Sequence, residues 1–232
     1  GVMNTDNMAI SGETIDFGPC AFMDAFDPQT VFSSIDYGGR YAYGNQPRIA
    51  PWNLARLAES LLTIIDEDTD TAVAAVTEVL NSYPERFNRY WGAGMRAKLG
   101  LTEEGEETDQ LIEDLLRLMH EHRIDYTSTF RDLAGYLRGE ALPAPALADW
   151  VARWRERVSP DAADAMDRVN PVYIPRNHKV EEALEAATAG DLEPFERLVE
   201  GESDPFTPRP GLEDYAVPAP EDFGPYVTYC GT

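Results

Sequence analysis

The sequence predicts a mainly α-helical protein with a short β-hairpin near its start. Three observations carry this reading. Apolar residues recur at helical spacing in successive segments between residues 51 and 200. Two short apolar runs, Met8-Ala9-Ile10 and Thr14-Ile15-Asp16-Phe17, flank Ser11-Gly12-Glu13, the composition of a hairpin with a glycine turn. Between these regions, from Pro19 to about residue 50, the text is irregular and rich in Gly, Asp, Pro and aromatics, as expected of an ordered loop.

The helical elements follow in order. Pro51-Trp52-Asn53 opens the first, with Leu54, Leu57, Leu61, Leu62 and Ile65 on one face. Asp70 or Thr71 caps a second through Val73, Val76 and Leu80, and Pro84 separates it from a third through Phe87, Tyr90, Trp91 and Met95. Thr108 to Arg123 places Leu111, Ile112, Leu115, Leu116 and Met119 at clean helical spacing. Shorter patterns cover Phe130–Leu137, Ala146–Arg157, Asp161–Val169, Val180–Ala189 and Leu192–Val199. Phe87, Tyr90, Trp91, Trp150 and Trp154 are expected in the core. Residues 1–200 are read as one lobe: 1–18 the chemical segment, 19–50 the irregular loop, 51–200 the helices. Residues 201–232 are Pro- and Gly-rich, without helical pattern, and read as an extended tail, either disordered or wrapped over the domain.

Charge narrows the partners. Nineteen Lys and Arg against 42 Asp and Glu give a net charge of −23. Such a surface repels nucleic-acid backbones and anionic membranes, so neither is expected as a partner. No run approaches the roughly 18 apolar residues of a membrane span, and no basic n-region precedes an apolar stretch. A soluble, cytoplasmic protein is expected. The two cysteines, Cys20 and Cys230, are too few for a disulfide framework and lack zinc spacing.

Three oxygen-bearing side chains stand out. Asp6 and Asn7 lie at the entry of the expected hairpin, and Asp16 lies at its exit, followed by Phe17-Gly18. A hairpin brings entry and exit together. An Asn carbonyl oxygen and an Asp carboxylate suit Mg²⁺, which takes nucleotide phosphates and water as further ligands. A second aspartate beside them is placed to accept a hydroxyl proton. The same logic operates in protein kinases, where a metal-binding Asn is followed by Asp-Phe-Gly. On spacing alone, the three residues read equally well as turn, cap and strand-end groups.

Longer strings add to this. Gly1-Val2-Met3-Asn4-Thr5-Asp6-Asn7-Met8 resembles the catalytic loop of the selenoprotein O family, and Thr14-Ile15-Asp16-Phe17-Gly18-Pro19 resembles its metal-binding turn. So do Gly39-Arg40-Tyr41-Ala42-Tyr43-Gly44-Asn45-Gln46-Pro47, Trp52-Asn53-Leu54-Ala55-Arg56-Leu57, Asn170-Pro171-Val172-Tyr173-Ile174-Pro175-Arg176-Asn177 and the closing Cys230-Gly231-Thr232. The resemblance implies the C-terminal lobe of a protein-kinase-like fold, with the N-terminal lobe missing. It implies a protein adenylyltransferase that moves AMP from ATP to Ser, Thr or Tyr hydroxyls of protein substrates. Asp6 would be the catalytic proton acceptor. Asn7 and Asp16 would hold Mg²⁺ or Mn²⁺, and Asp16 would also bind the nucleotide. Cys230 would be a redox residue; the family's partner thiol falls near Phe32, where this chain has no cysteine. The family's nucleotide-gripping lysine and phosphate-binding arginines have no counterpart here, so the 232 residues alone are expected to be inactive. Uridylyl transfer or phosphotransfer on the same scaffold, or a non-catalytic helical interaction domain, are the alternatives.

Other residues carry weaker signals. His120 and His122 do not share a helix face, which disfavours a metal pair. Arg40 and Arg48 read either as contacts to phosphate or acceptor protein, or as structural ion pairs. Arg176 and His178 read as packing or capping residues.

Overall fold

The computed structural model describes residues 1–13, 21–224 and 226–228. Among these the regular secondary structure is helical, preceded by loops and short turns up to Asn45. Ten α-helical segments follow one another: α1 (Gln46–Ile65), α2 (Thr69–Asn81), α3 (Tyr83–Lys98), α4 (Glu106–Glu121), α5 (Tyr126–Leu137), α6 (Ala148–Arg155), α7 (Ala163–Asp167), α8 (Asn177–Thr188), α9 (Glu193–Ser203) and α10 (Glu213–Ala216). The only β feature among the described residues is an isolated antiparallel bridge between Ala25 and Asp125.

The expected hairpin is therefore corrected. Its first arm, Met8 to Ile10, forms no strand; its second arm lies outside the described residues. The glycine turn does form. Gly12 has φ of +76°, and its N–H donates to the Ala9 carbonyl at 3.0 Å. A short arm with no strand beside it among the described residues has little to hold a ladder.

Helix boundaries shift for identifiable reasons. α1 starts at Gln46 rather than Pro51, because Pro47 already occupies the first turn, where its missing N–H costs nothing. Pro51 then sits inside the helix. The cap of α2 is Asp68, two residues earlier than expected; its carboxylate accepts the Thr71 N–H at 2.8 Å. Pro84 does separate α2 from α3.

The chain divides into two compact units, the first made of residues Gly1–Pro19, Pro28–Gly92 and Thr228–Thr232, the second of Cys20–Asp27 and Ala93–Val227. In the first unit α1 lies against α2. Two helices cannot cover each other on every side, and Leu54, Leu61, Ile64, Ile65 and Val79 remain exposed. Tyr90 and Trp91, expected in the core, are also exposed. Tyr83 and Phe87 stack on each other one turn earlier in α3.

The second unit holds the main core. Leu111, Ile112, Leu115 and Met119 of α4 are buried with Phe130 and Leu133 of α5 and Trp150 and Trp154 of α6. The two indoles stack at 6.0 Å. Each buried indole N–H has an acceptor: Trp150 donates to the Leu111 carbonyl at 2.8 Å and Trp154 to that of Leu99 at 2.9 Å. The Pro-rich text after Glu200 is more structured than its pattern suggests. α9 runs on to Ser203, and Leu212 and Tyr215 are buried with Tyr173. Val172 N–H donates to the Pro205 carbonyl at 2.7 Å, and Tyr173 Oη accepts from Arg209 N–H at 2.8 Å. Proline and glycine hide the helical period there, but not the apolar anchors.

Arg176 ties this unit together. Its guanidinium is wholly buried and donates to Asp24 Oδ1 at 2.5 Å and to Asp125 Oδ2 at 2.7 Å. It also reaches Asp125 Oδ1, Ser128 Oγ and the Ala216 carbonyl, each at 3.1 Å. Asp125 is at the same time the cap of α5, accepting from Ser128 N–H at 2.6 Å, and Asp24 Oδ2 accepts from Ala219 N–H at 3.0 Å.

Two expectations follow. Arg176→Met strands two partly buried carboxylates and should lower the unfolding free energy by about 3–5 kcal/mol, read from the urea midpoint; an unchanged midpoint would refute the role given to Arg176. Burial pushes the Glu202 carboxyl up to about 7, with Arg176 pulling the other way. A carboxyl raised in the folded state contributes its full stability below the unfolded value and loses it as pH rises through the folded one. Glu202→Gln should leave the melting temperature unchanged near about pH 4 and raise it near about pH 8, as thermal melts at the two pH values would show.

Candidate metal and catalytic loop

The chemical segment begins with a 3-10 turn, Thr5–Asn7, closed by Asn7 N–H donating to the Asn4 carbonyl at 3.0 Å. Asp6 and Asn7 are consecutive on this turn and both are exposed. The Asn7 side-chain nitrogen donates back to the Val2 carbonyl at 3.1 Å. That bond orients the amide, and its carbonyl oxygen, the atom a hard cation would take, has no hydrogen-bond partner among the described residues. Asp16, the third residue of the expected site, and Cys20 and Cys230 lie outside the described residues. Among the described residues, no three His, Cys, Asp or Glu side chains gather to hold a metal.

Three side chains from two elements of the first unit hold the turn and the residues around it. From α1, the amide nitrogen of the buried Asn53 donates to the Met3 carbonyl at 2.8 Å and to Met8 Sδ at 2.7 Å. Also from α1, Gln46 Nε2 donates to the Gly1 carbonyl at 3.4 Å. From the loop before α1, the Tyr41 hydroxyl donates to Asn4 Oδ1. That loop is itself pinned: Asp36 accepts the backbone N–H groups of Arg40 and Tyr41, each at 2.8 Å. Gly1 passes so near Phe32 that a Cβ there would lie 2.7 Å from Phe32 Cβ, so no larger residue fits without movement.

Among the described residues Arg40 forms no ion pair and lies instead over aromatic rings. Its guanidinium lies 4.9 Å from the centre of the Trp52 ring and 5.6 Å from that of Tyr41, and Arg56 lies 5.5 Å from the same indole. At the other end of the sequence, Thr228 sits beside Phe32 and Ser34. Its hydroxyl donates to the Phe32 carbonyl at 3.0 Å, and its carbonyl accepts from Ser34 N–H at 2.9 Å. The segment leading to Cys230 thus reaches the position where the resemblance places a partner thiol, and this chain has phenylalanine there. In the second unit, His120 Nδ1 lies 3.7 Å from Asp27 Oδ1, and the His178 ring meets Phe223 edge-on at 5.9 Å. Burial lowers the His178 pKa.

Asn53, Tyr41 and Asp36 escaped the sequence reading as parts of the site. A signal for Asn53 was present: it stands one helical turn before Leu57, where an apolar residue is expected. Tyr41 and Asp36 left no local signal, because their partners lie in the backbone and in a segment far away in sequence.

Comparison with known proteins places the chain in a family. The family model described as Protein adenylyltransferase SelO matches residues 1–203. A protein of Mycolicibacterium smegmatis described as Protein nucleotidyltransferase YdiU is 60% identical over 234 residues, covering 100% of this chain and 48% of its own length. Proteins with the same description from Cereibacter sphaeroides and Pseudarthrobacter chlorophenolicus are 57% and 52% identical, again over 100% of this chain and 50% of theirs. The chain therefore spans about half the length of the curated relatives it matches. On a family match that covers most of its residues, the chain belongs to the SelO protein adenylyltransferase family.

Proposed function

We propose that this chain is the helical, metal-bearing lobe of a kinase-like protein adenylyltransferase. The full-length protein transfers AMP from ATP to a Ser, Thr or Tyr hydroxyl of a protein substrate. The observation that carries this is the 3-10 turn that presents Asp6 and Asn7 consecutively, with the Asn7 amide nitrogen engaged and its oxygen without a partner among the described residues.

Chemistry assigns the roles. Asn7 and Asp16 would hold Mg²⁺ or Mn²⁺, which neutralises charge on the phosphate oxygens. Asp6 accepts the proton as the acceptor hydroxyl oxygen bonds to the α-phosphorus. The bond from that phosphorus to the bridging oxygen breaks, and pyrophosphate leaves. A chain of net charge −23 would repel ATP without such a cation, which gives the metal an electrostatic as well as a chemical task.

The test is labelling of protein by the full-length enzyme, with ATP carrying its label in the adenosine moiety, in the presence and absence of Mg²⁺ or Mn²⁺. Metal-dependent labelling is expected, with Asp16→Ala abolishing it and Asp6→Asn lowering kcat by about 10²- to 10⁴-fold. The 232 residues alone should give none. Label transferred only from the γ-phosphate would show phosphotransfer instead, and label only from UTP would show uridylyl transfer. No label from any of these would leave a non-catalytic helical module.

A further inference from the structure

The catalytic turn lies on the surface, yet it is bracketed by one buried amide. Asn53 is only 6% exposed, and its nitrogen bonds on both sides of the turn, to the carbonyl of Met3 and the sulfur of Met8. Everything between those two anchors is Asn4 and the turn Thr5–Asn7. An independent element, the loop pinned by Asp36, adds the Tyr41 hydroxyl at Asn4, the residue immediately before the turn. These contacts use both protons of the Asn53 amide, and its oxygen is buried without a hydrogen-bond partner among the described residues.

Burying that oxygen carries a desolvation cost that an apolar residue of the same size avoids. Turning the amide over would set its oxygen against the Met3 carbonyl oxygen, so the orientation is imposed by the turn. The amide thus ties the backbone on both sides of the turn to one buried point.

We propose that Asn53 and Tyr41 are positioning residues that hold the turn carrying Asn7, and hence set the affinity of the site for its divalent cation. This rests on the metal-dependent reading above. Neither residue touches the reacting atoms. Both act by holding the backbone whose side chains do. Removing groups that orient metal ligands lowers metal affinity or activity by about 10- to 100-fold.

The decisive variant is Asn53→Leu, which keeps the volume, removes both donors and also removes the stranded oxygen. Tyr41→Phe removes the second tether and keeps the ring. Both are made in the full-length protein, and Mn²⁺ binding is followed by titration of the free-ion electron paramagnetic resonance signal, with no turnover required. Circular dichroism and thermal melts are recorded in parallel. Each variant should weaken Mn²⁺ binding by about 10-fold or more with secondary structure retained, and the apparent KM for metal should rise more than kcat falls. Wild-type affinity in both folded variants would overturn the positioning role while leaving the proposed function standing. If Asn53→Leu fails to fold, Tyr41→Phe decides on the same criterion. A wild-type protein that binds no Mn²⁺ would overturn both readings at once.

Discussion

A guanidinium with no exposed surface has to be neutralised where it lies, and much of the second unit is arranged around that requirement. Arg176 draws in carboxylates from two separate stretches, Asp24 and Asp125, and a carbonyl from α10 at Ala216. Each partner has a second task. Asp125 caps α5, and Asp24 anchors the backbone at Ala219. The charge therefore does more than pair. It fixes the start of α5, the entrance to α8 and the path of the chain after α10 from a single point. An apolar residue of similar size could fill the volume, but it would specify none of these three directions.

The chemical loop follows a contrasting principle. Its supports are neutral donors, an amide and a phenol, on a turn whose own side chains are a carboxylate and an amide. In a chain as acidic as this one, anionic supports would add to the negative charge around the turn, and cationic ones would pair with Asp6. Neutral supports hold position without altering the local field. The cationic groups nearby, Arg40 and Arg56, are placed against the face of Trp52.

How much of this was legible in the sequence depends on the range of the physics involved. Helices α4 to α6 were readable because their periodicity is local and their faces are buried on one side, as Leu111, Leu115 and Trp150 show. The boundaries of α1 and α2 were missed by a few residues, since Pro47 and Asp68 compete with equally plausible neighbours. Tyr90 and Trp91 carry the composition of a core without the neighbours to make one. The hairpin was inferred from a glycine turn that does form, but a turn alone does not make a ladder. Asp6 and Asn7 were singled out by their spacing and by resemblance to a known segment, whereas Asn53 and Tyr41 act across 37 to 50 positions, which no local pattern encodes.

The connections of Asp24 bear on how the chain is assembled. This residue reaches Arg176 across 152 positions and Ala219 across 195, and nearby Phe22 bonds Asn177 across 155. During synthesis from the N-terminus, the segment Cys20–Asp27 leaves the ribosome long before its partners exist. The helices α4 to α6 can collapse on local contacts, but this short segment has to wait, paying the closure entropy of a very long loop when it docks. Until then the site for the segment is open, with Asp125 and the surrounding apolar surface uncovered. Completion of the second unit is thus a late event in folding, and the interval before it is when the nascent protein is most exposed to misassembly.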